Sequence, residues 1–204
     1  MAARTHRSIP PGPRDERGVL AARILDVARR SFAEKGWAGT SIRGVARDAD
    51  VDPALVYHYF NSKEQLLDAA TTPPAEWAER IQETWATPIE KLGDAIVRNM
   101  LRNWESDIYR PFMLAVLLTA ADEPRTRDKL SRIIANQLMG PATGHLTADN
   151  QLVRAGLVAS QLLDSMMMRY VWKVQPLISM DDRQVIAALS PTIQRYLEED
   201  FETA

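Results

Sequence analysis

The residues of this chain best suited to chemistry are those that can hold a phosphate. Ser62 followed by Lys63, Glu64 and Gln65 reads as a capped helix start with an ammonium beside it. The free amides, the dipole and the lysine charge of such an end combine into an anion site. Residues 1–14 add Arg4, Arg7 and Arg14 among Pro10, Pro11, Gly12 and Pro13. That segment has too little apolar area to order itself; it reads either as a flexible basic arm reaching DNA phosphates or the minor groove, or as a tail without a role. Catalytic constellations are missing. Cysteine is absent, which removes thiolate nucleophiles, disulfides and thiolate metal sites. His6, His58 and His145 share no helix, so no metal and no cofactor are expected. The carboxylates scatter over solvent faces, and neither a glycine-rich phosphate loop nor a G-x-S-x-G turn occurs. The chemistry on offer is recognition, not catalysis.

The elements that must position such a site lie between Thr40 and Lys63, in TSIRGVARDADVDPALVYHYFNSK. Thr40 is the expected N-cap of a short helix whose Ile42, Val45 and Ala46 form one apolar stripe. Ala49-Asp50-Val51 breaks it. Asp52 then caps a second helix, with Pro53 pre-setting its first turn. Val56 and Phe60 turn inward. A small residue in the first helix, a turn at Asp50 and a branched residue in the second fit a helix-turn-helix. A longer helix over residues 16–36 precedes them, with Gly36 ending it and Trp37 plugging the small core beneath.

Thr71-Thr72-Pro73-Pro74 marks a boundary. The expected division is a basic arm over 1–15, a DNA-binding domain over 16–72 and a ligand-binding and dimerisation domain over 73–204. Charge follows it: the first 70 residues carry 11 basic and 9 acidic side chains, the remainder 14 and 18, within a net charge of −2. No stretch alternates as a strand would, so the expected fold is all-α. No apolar run approaches the ~20 residues of a membrane helix, and no signal-peptide core is seen, so a cytoplasmic place and no membrane partner are expected.

The second region holds four of the five tryptophans and seven of the eight methionines. Trp85, Met100, Trp104, Met113, Leu117 and Met167 are the candidate wall of a pocket for a small hydrophobic effector, methionine and tryptophan making an adaptable apolar surface. Plain core packing is the competing account. The longest helix spans Asp149–Trp172, with an inner stripe of Leu152, Gly156, Ser160, Leu163, Met167 and Tyr170. Gly156 and Ser160 allow another helix close. A last helix, capped by Ser179 and kinked before Pro191, carries Val185, Leu189, Ile193 and Tyr196. Leu152, Gly156, Ser160 and Leu163, with those four, are the candidate homodimer interface, an isologous four-helix contact.

Residues 24–66, ILDVARRSFAEKGWAGTSIRGVARDADVDPALVYHYFNSKEQL, resemble the DNA-binding domain of TetR-family transcriptional regulators through FAEKGW, TSIRGVA, LVYHYF and SKEQL in order and spacing. The resemblance implies a ligand-responsive homodimeric repressor with paired recognition helices in successive major grooves of a double-stranded DNA operator. It implies that Thr40 and Ser41 meet phosphates, and that Arg43 reaches a phosphate or base edge. Pro53, Ala54 and Leu55 would line the groove, Tyr57 and His58 would contact phosphates or base edges, and Lys63 a phosphate. Asp50 stands where glycine is usual; aspartate tolerates the left-handed region better than most residues. Asp52, Pro53 and Leu55 replace more polar residues, so thymine-methyl contact and DNA shape would carry more of the readout. The rival reading is a dimeric small-molecule-binding or scaffold protein without sequence-specific DNA binding.

Overall fold

The computed structural model describes residues 13–135 and 151–199. The basic arm through residue 12, and Leu138, Gly140, Pro141 and Gly144, lie outside the described residues. Eight helices run through the first segment: α1 (Pro13–Gly39), α2 (Ile42–Asp48), α3 (Pro53–Phe60), α4 (Lys63–Ala70), α5 (Trp77–Trp85), α6 (Ile89–Glu105), α7 (Tyr109–Ala120) and α8 (Pro124–Ile133). Two more follow, α9 (Gln151–Met166), prolonged by a π-helical turn at Met167–Val171, and α10 (Asp182–Glu198). No strand occurs among the described residues. The expected all-α architecture is the one observed.

The amino-terminal head is α1 to α4. Ile24, Val27, Ala28 and Phe32 of α1 close over Ile42, Val45, Ala46, Val56, Leu66 and Leu67. Val45, Ala46 and Val56 are fully buried where α2 meets α3. The turn between them works as the sequence indicates. Asp50 sits in the left-handed region (φ 51°), Asp52 Oδ1 accepts from the Ala54 amide at 2.7 Å, and Pro53 opens α3. Gly36 adopts φ 63° and interrupts α1 three residues before its end. Only glycine reaches that conformation without steric cost. Trp37 is half-buried and stacks on Phe32 with centroids 6.2 Å apart.

The second unit is built on α5 to α10 around one apolar core. The head joins it along α1, which packs on α7, with Ala115 of α7 completing the head's core. At Gly93 of α6 a Cβ would lie 2.8 Å from the Gln194 backbone nitrogen. The Gln194 side chain accepts from the Gly93 amide at 2.8 Å and donates to the Ile89 carbonyl at 2.6 Å. It thereby serves α6, which has no side-chain cap of its own.

Several expectations are corrected. Ser41 caps α2, accepting from the Gly44 amide at 3.1 Å. Thr40 is only 2% exposed and donates to the Gly36 carbonyl at 2.9 Å. Asp181, not Ser179, caps α10, and with Gln184 it completes a reciprocal capping box. The inward face of α9 is Arg154, Ala155, Val158, Ala159, Leu162 and Met166. The expected stripe lies one position off it: Leu152 is 61% exposed, Ser160 is exposed and Gly156 faces open space. The cause is Arg154, which is 1% exposed and donates from Nη1 to the Tyr196 and Glu199 carbonyls at the end of α10. A cation at that end satisfies orphan carbonyls and the helix dipole. Within the protomer the close helix crossing is at Gly93. Val185 and Ile193 are buried within the protomer's core and so are unavailable to a partner, while Leu189 and Tyr196 are partly buried against that core. α10 runs through Pro191 as one helix. The carbonyl that loses its partner belongs to Ala187, which is exposed, as is Pro191, so water can serve it.

Substitution at Asp50 tests the turn. Asp50→Val is expected to cost about 1–2 kcal/mol, because a branched side chain resists φ > 0, whereas Asp50→Gly stays within about 0.5 kcal/mol of the parent. Thermal melts of the two variants check both.

Candidate nucleic-acid interface and effector cavity

α2 and α3 present one polar face outward. Ser41, Arg43 and Arg47 of α2 and Asp52, Ala54, Tyr57 and His58 of α3 are exposed, while Pro53 and Leu55 are partly so. Tyr57 is 51% exposed, and His58 packs edge-on against Tyr59 at 5.3 Å between centroids. The burial of Val56 and the Asp52–Pro53 start aim that face. Arg47 is held by Asp48 at 2.9 Å, and this side-chain hydrogen bond keeps the Asp48 carboxyl below its ordinary range. Thr40 is brought to the same corner but points inward, so its side chain is not on the interface.

The Ser62–Lys63 end is occupied from within the chain. Ser62 Oγ accepts from the Gln65 amide at 3.2 Å. The Glu64 carboxylate is lowered by its own backbone amide and then by Ser62, an acid seated at a helix start. Lys63 Nζ donates to the Trp37 carbonyl at 2.6 Å and lies 4.0 Å over the Trp37 ring. Burial lowers its pKa, with Glu64 and Glu123 opposing. The expected open phosphate site is therefore a lysine tethered to Trp37 beside an already capped helix.

Sequence reasoning missed the opposite end of α4. Arg29 of α1 donates from Nε to the Ala70 carbonyl and from Nη2 to the Thr72 carbonyl, both at 3.2 Å. Burial lowers its pKa against the raising effect of Asp26. From the other side Lys129 of α8 donates to the Asp68 carbonyl at 2.8 Å and to Asp68 Oδ1 at 2.6 Å, and reaches the Thr71 and Thr72 hydroxyls at 3.3 Å. The last turn of α4 is thus gripped from the head and from the second unit. Nothing in the local pattern announces this, because Lys129 lies 61 residues from Asp68.

A cavity of about 120 Å³ lies among α5, α6, α7, α8 and α9. Trp85, Met100, Trp104, Met113 and Leu117 line it as expected; Met167 does not, and Leu163, expected at a dimer contact, does. Trp77, Ile81, Phe112, Leu130 and Ile133 complete much of the wall. Asn99 and Asn103 also line it and had escaped notice, because two asparagines on an apolar stripe of α6 give no periodic signal. Helix α8 both walls the cavity, through Leu130 and Ile133, and holds α4, through Lys129.

Among the described residues no group of three or more His, Cys, Asp or Glu could hold a metal, and no helix is long and apolar enough to cross a membrane.

Residues 90–197 match the domain described as "Tetracyclin repressor-like, C-terminal domain", and residues 24–70 match "Bacterial regulatory proteins, tetR family". The chain belongs to the TetR family of helix-turn-helix transcriptional regulators. Such proteins bind operator DNA, act as dimers with small-molecule effectors and are not enzymes. The chain is 27% identical over 166 residues to the transcriptional regulator BetI of Rhizobium meliloti, covering 76% of this chain and 79% of that protein. It is 32% identical over 89 residues to the repressor KstR2 of Mycolicibacterium smegmatis, covering 42% of this chain and 40% of that one. The crystal structure of the TetR-family regulator SCO0857 from Streptomyces coelicolor A3 superposes with a TM-score of 0.63 at 29% identity, over 92% of this chain and 99% of the other.

Two substitutions separate tethered from free cations. Arg43→Ala is expected to weaken binding to any duplex and to reduce the salt slope by about one, with no fall in melting temperature. Lys63→Met is expected to do the same and also to lose about 1 kcal/mol of stability with the Trp37 contacts. Salt-dependent anisotropy titrations and thermal melts of both variants check this.

Proposed function

We propose that this protein is a homodimeric repressor released from its operator by a small apolar or aromatic effector held in the α5–α9 cavity. The observation that carries the reading is the double role of α8, cavity wall on one side and grip on α4 on the other. An occupant that displaces Leu130 or Ile133 moves Lys129, and with it the end of the helix next to the reading head. The two recognition helices must stand ~34–36 Å apart to enter successive major grooves. An effector shifts that spacing only through its unequal affinity for the two arrangements.

On the DNA side, Ser41 and Arg43 would engage phosphates directly, Lys63 would add its charge from its tether on Trp37, and Pro53, Ala54, Leu55, Tyr57 and His58 would meet the groove. The partner-facing surface is the outer side of α9 and the turn after it. Leu152, Val153, Met168 and Trp172 are exposed apolar side chains there, and Gly156 and Ser160 lie between them. A cytoplasmic place, with the nucleoid when bound to DNA, follows from this role.

A footprint over the duplex flanking the protein's own gene, with light scattering in parallel, tests the reading. The expected result is a dimer that protects a two-fold symmetric site and prefers it to random duplex by at least about 10³-fold. A monomer at micromolar concentration overturns the dimer. A dimer without any sequence preference overturns the repressor and favours a ligand-binding scaffold.

A further inference from the structure

A groove of about 600 Å³ lies on the solvent side of α5 and α6, bounded by the start of α10. Five cationic and three acidic side chains line it, in a region of the chain where acids outnumber bases. Arg98 is taken by Asp94 at 2.6 Å. Arg80, Lys91, Arg102 and Arg183 have no carboxylate within ion-pair reach among the described residues. Arg80 lies over the Tyr109 ring, 5.0 Å from its centroid, and this contact steadies its guanidinium. The groove stands back to back with the effector cavity. Thr84 and Asn99 line both, so a single layer of side chains at the α5–α6 seam divides them. The Thr84 hydroxyl donates to the Arg80 carbonyl of its own helix at 2.8 Å and so does not tie α5 to α6. Arg102 is three residues after Asn99, and Arg80 is four before Thr84, so each cation shares a helix face with a seam residue.

From this arrangement we infer that the effector is an amphipathic anion: a ring or short chain seated in the cavity and joined, through the α5–α6 seam, to a carboxylate or phosphate held in the groove by Arg80 and Arg102. The cavity cannot take the charge itself. No Lys, Arg, Asp or Glu is among its described lining residues, and an unpaired charge in apolar surroundings is strongly disfavoured. The groove can take it, because a head group there keeps part of its water and meets guanidinium forks that match a carboxylate or a phosphate. The polar part of the cavity wall, Thr84, Asn99 and Asn103, also belongs to α5 and α6, against tryptophan, methionine and aliphatic carbon elsewhere. Those three side chains can share a water, so they ask no polar atom of the occupant. A cavity of about 120 Å³ has room for roughly one ring, and an apolar pocket separates similar apolar molecules only weakly. A charge required outside it is a second and sharper criterion. The inference rests on the effector reading of the cavity and adds the charged end that selects among molecules with the same tail.

The test uses the full chain and three probes with one tail: hexanoate, hexyl phosphate and 1-hexanol. Affinities are measured by calorimetry at low salt for the parent and for Arg102→Gln. Tryptophan emission reports the tail, because Trp77, Trp85 and Trp104 line the cavity. The two anions are expected to bind the parent at least about fivefold more tightly than hexanol, and all three to shift the emission. Arg102→Gln is expected to weaken the anions about fivefold and to leave hexanol unchanged, with the gap closing as salt is raised. Arg102 is exposed, so its variant is expected to melt with the parent, and Arg102→Lys to restore most of the anion affinity. The tighter of the two anions identifies the head group. Hexanol binding as tightly as both anions overturns the charged end and leaves the apolar cavity standing. Anions that bind without moving the emission sit in the groove alone, which overturns the link through the seam. Equal losses for hexanol and the anions in Arg102→Gln overturn the assignment to charge. Failure of all three to bind the parent overturns the inference; toluene, with no head group, then decides whether the cavity reading falls with it.

Discussion

Every α-helix ends in four carbonyls that its own backbone cannot serve, and the end of α4 is where that requirement shapes this protein most. Arg29 reaches it from the head and Lys129 from the second unit. Neither contact is large in area. Both are charge-assisted; Arg29 and Lys129 are partly withdrawn from solvent, while Asp68, the carboxylate partner of Lys129, is 73% exposed, so that ion pair is screened. The head is also attached along α1 and α7, a broad apolar seam. In the proposed mechanism the seam supplies adhesion and the α4 grips supply orientation.

This division of labour explains why the cavity is where it is. A pocket in the middle of the second unit affects the head only if some wall is also a handle. α8 fills that role, with Leu130 and Ile133 on the cavity side and Lys129 on the other. α6 contributes the other part: it brings Met100 and Trp104 to the wall, and its start is fixed by Gln194 at the close crossing with α10. One wall is thus pinned to the carboxy-terminal helix and another is tied to the reading head. In the proposed mechanism a displacement inside the cavity is taken up on the α8 side.

The head was legible in the sequence because its instructions are local. Asp52-Pro53, the left-handed Asp50, the small Ala46 opposite Val56 and the Ser62 cap act within a few residues of where they are written. One local difference, Ser41 capping α2 where Thr40 was expected, arises because two adjacent hydroxyls can both serve as caps. The hydroxyl of Thr40 went inward to Gly36 because the chain bends there. In the second unit five of the six expected cavity residues were found from composition alone, since tryptophan and methionine seldom gather by chance on facing helices. What stayed hidden depended on partners distant in the chain. The rotation of α9 is set by Arg154 seeking the end of α10, some 42 residues on. Gly93 is needed because Gln194 crosses it 101 residues later. Period alone places a stripe to within about one residue, and on α9 that residue decided which face was core and which was open.

In the proposed mechanism the grips on α4 set where the reading heads stand. Because the chain has no cysteine, one introduced thiol is unique, and the exposed Arg47 of α2 offers a site for it. The most direct measurement is the distance distribution between spin labels on Arg47→Cys in the two protomers, with and without Lys129→Met. A narrow distribution is expected for the parent, broadening and shifting when Lys129 is replaced. Two superimposable distributions would contradict that mechanism.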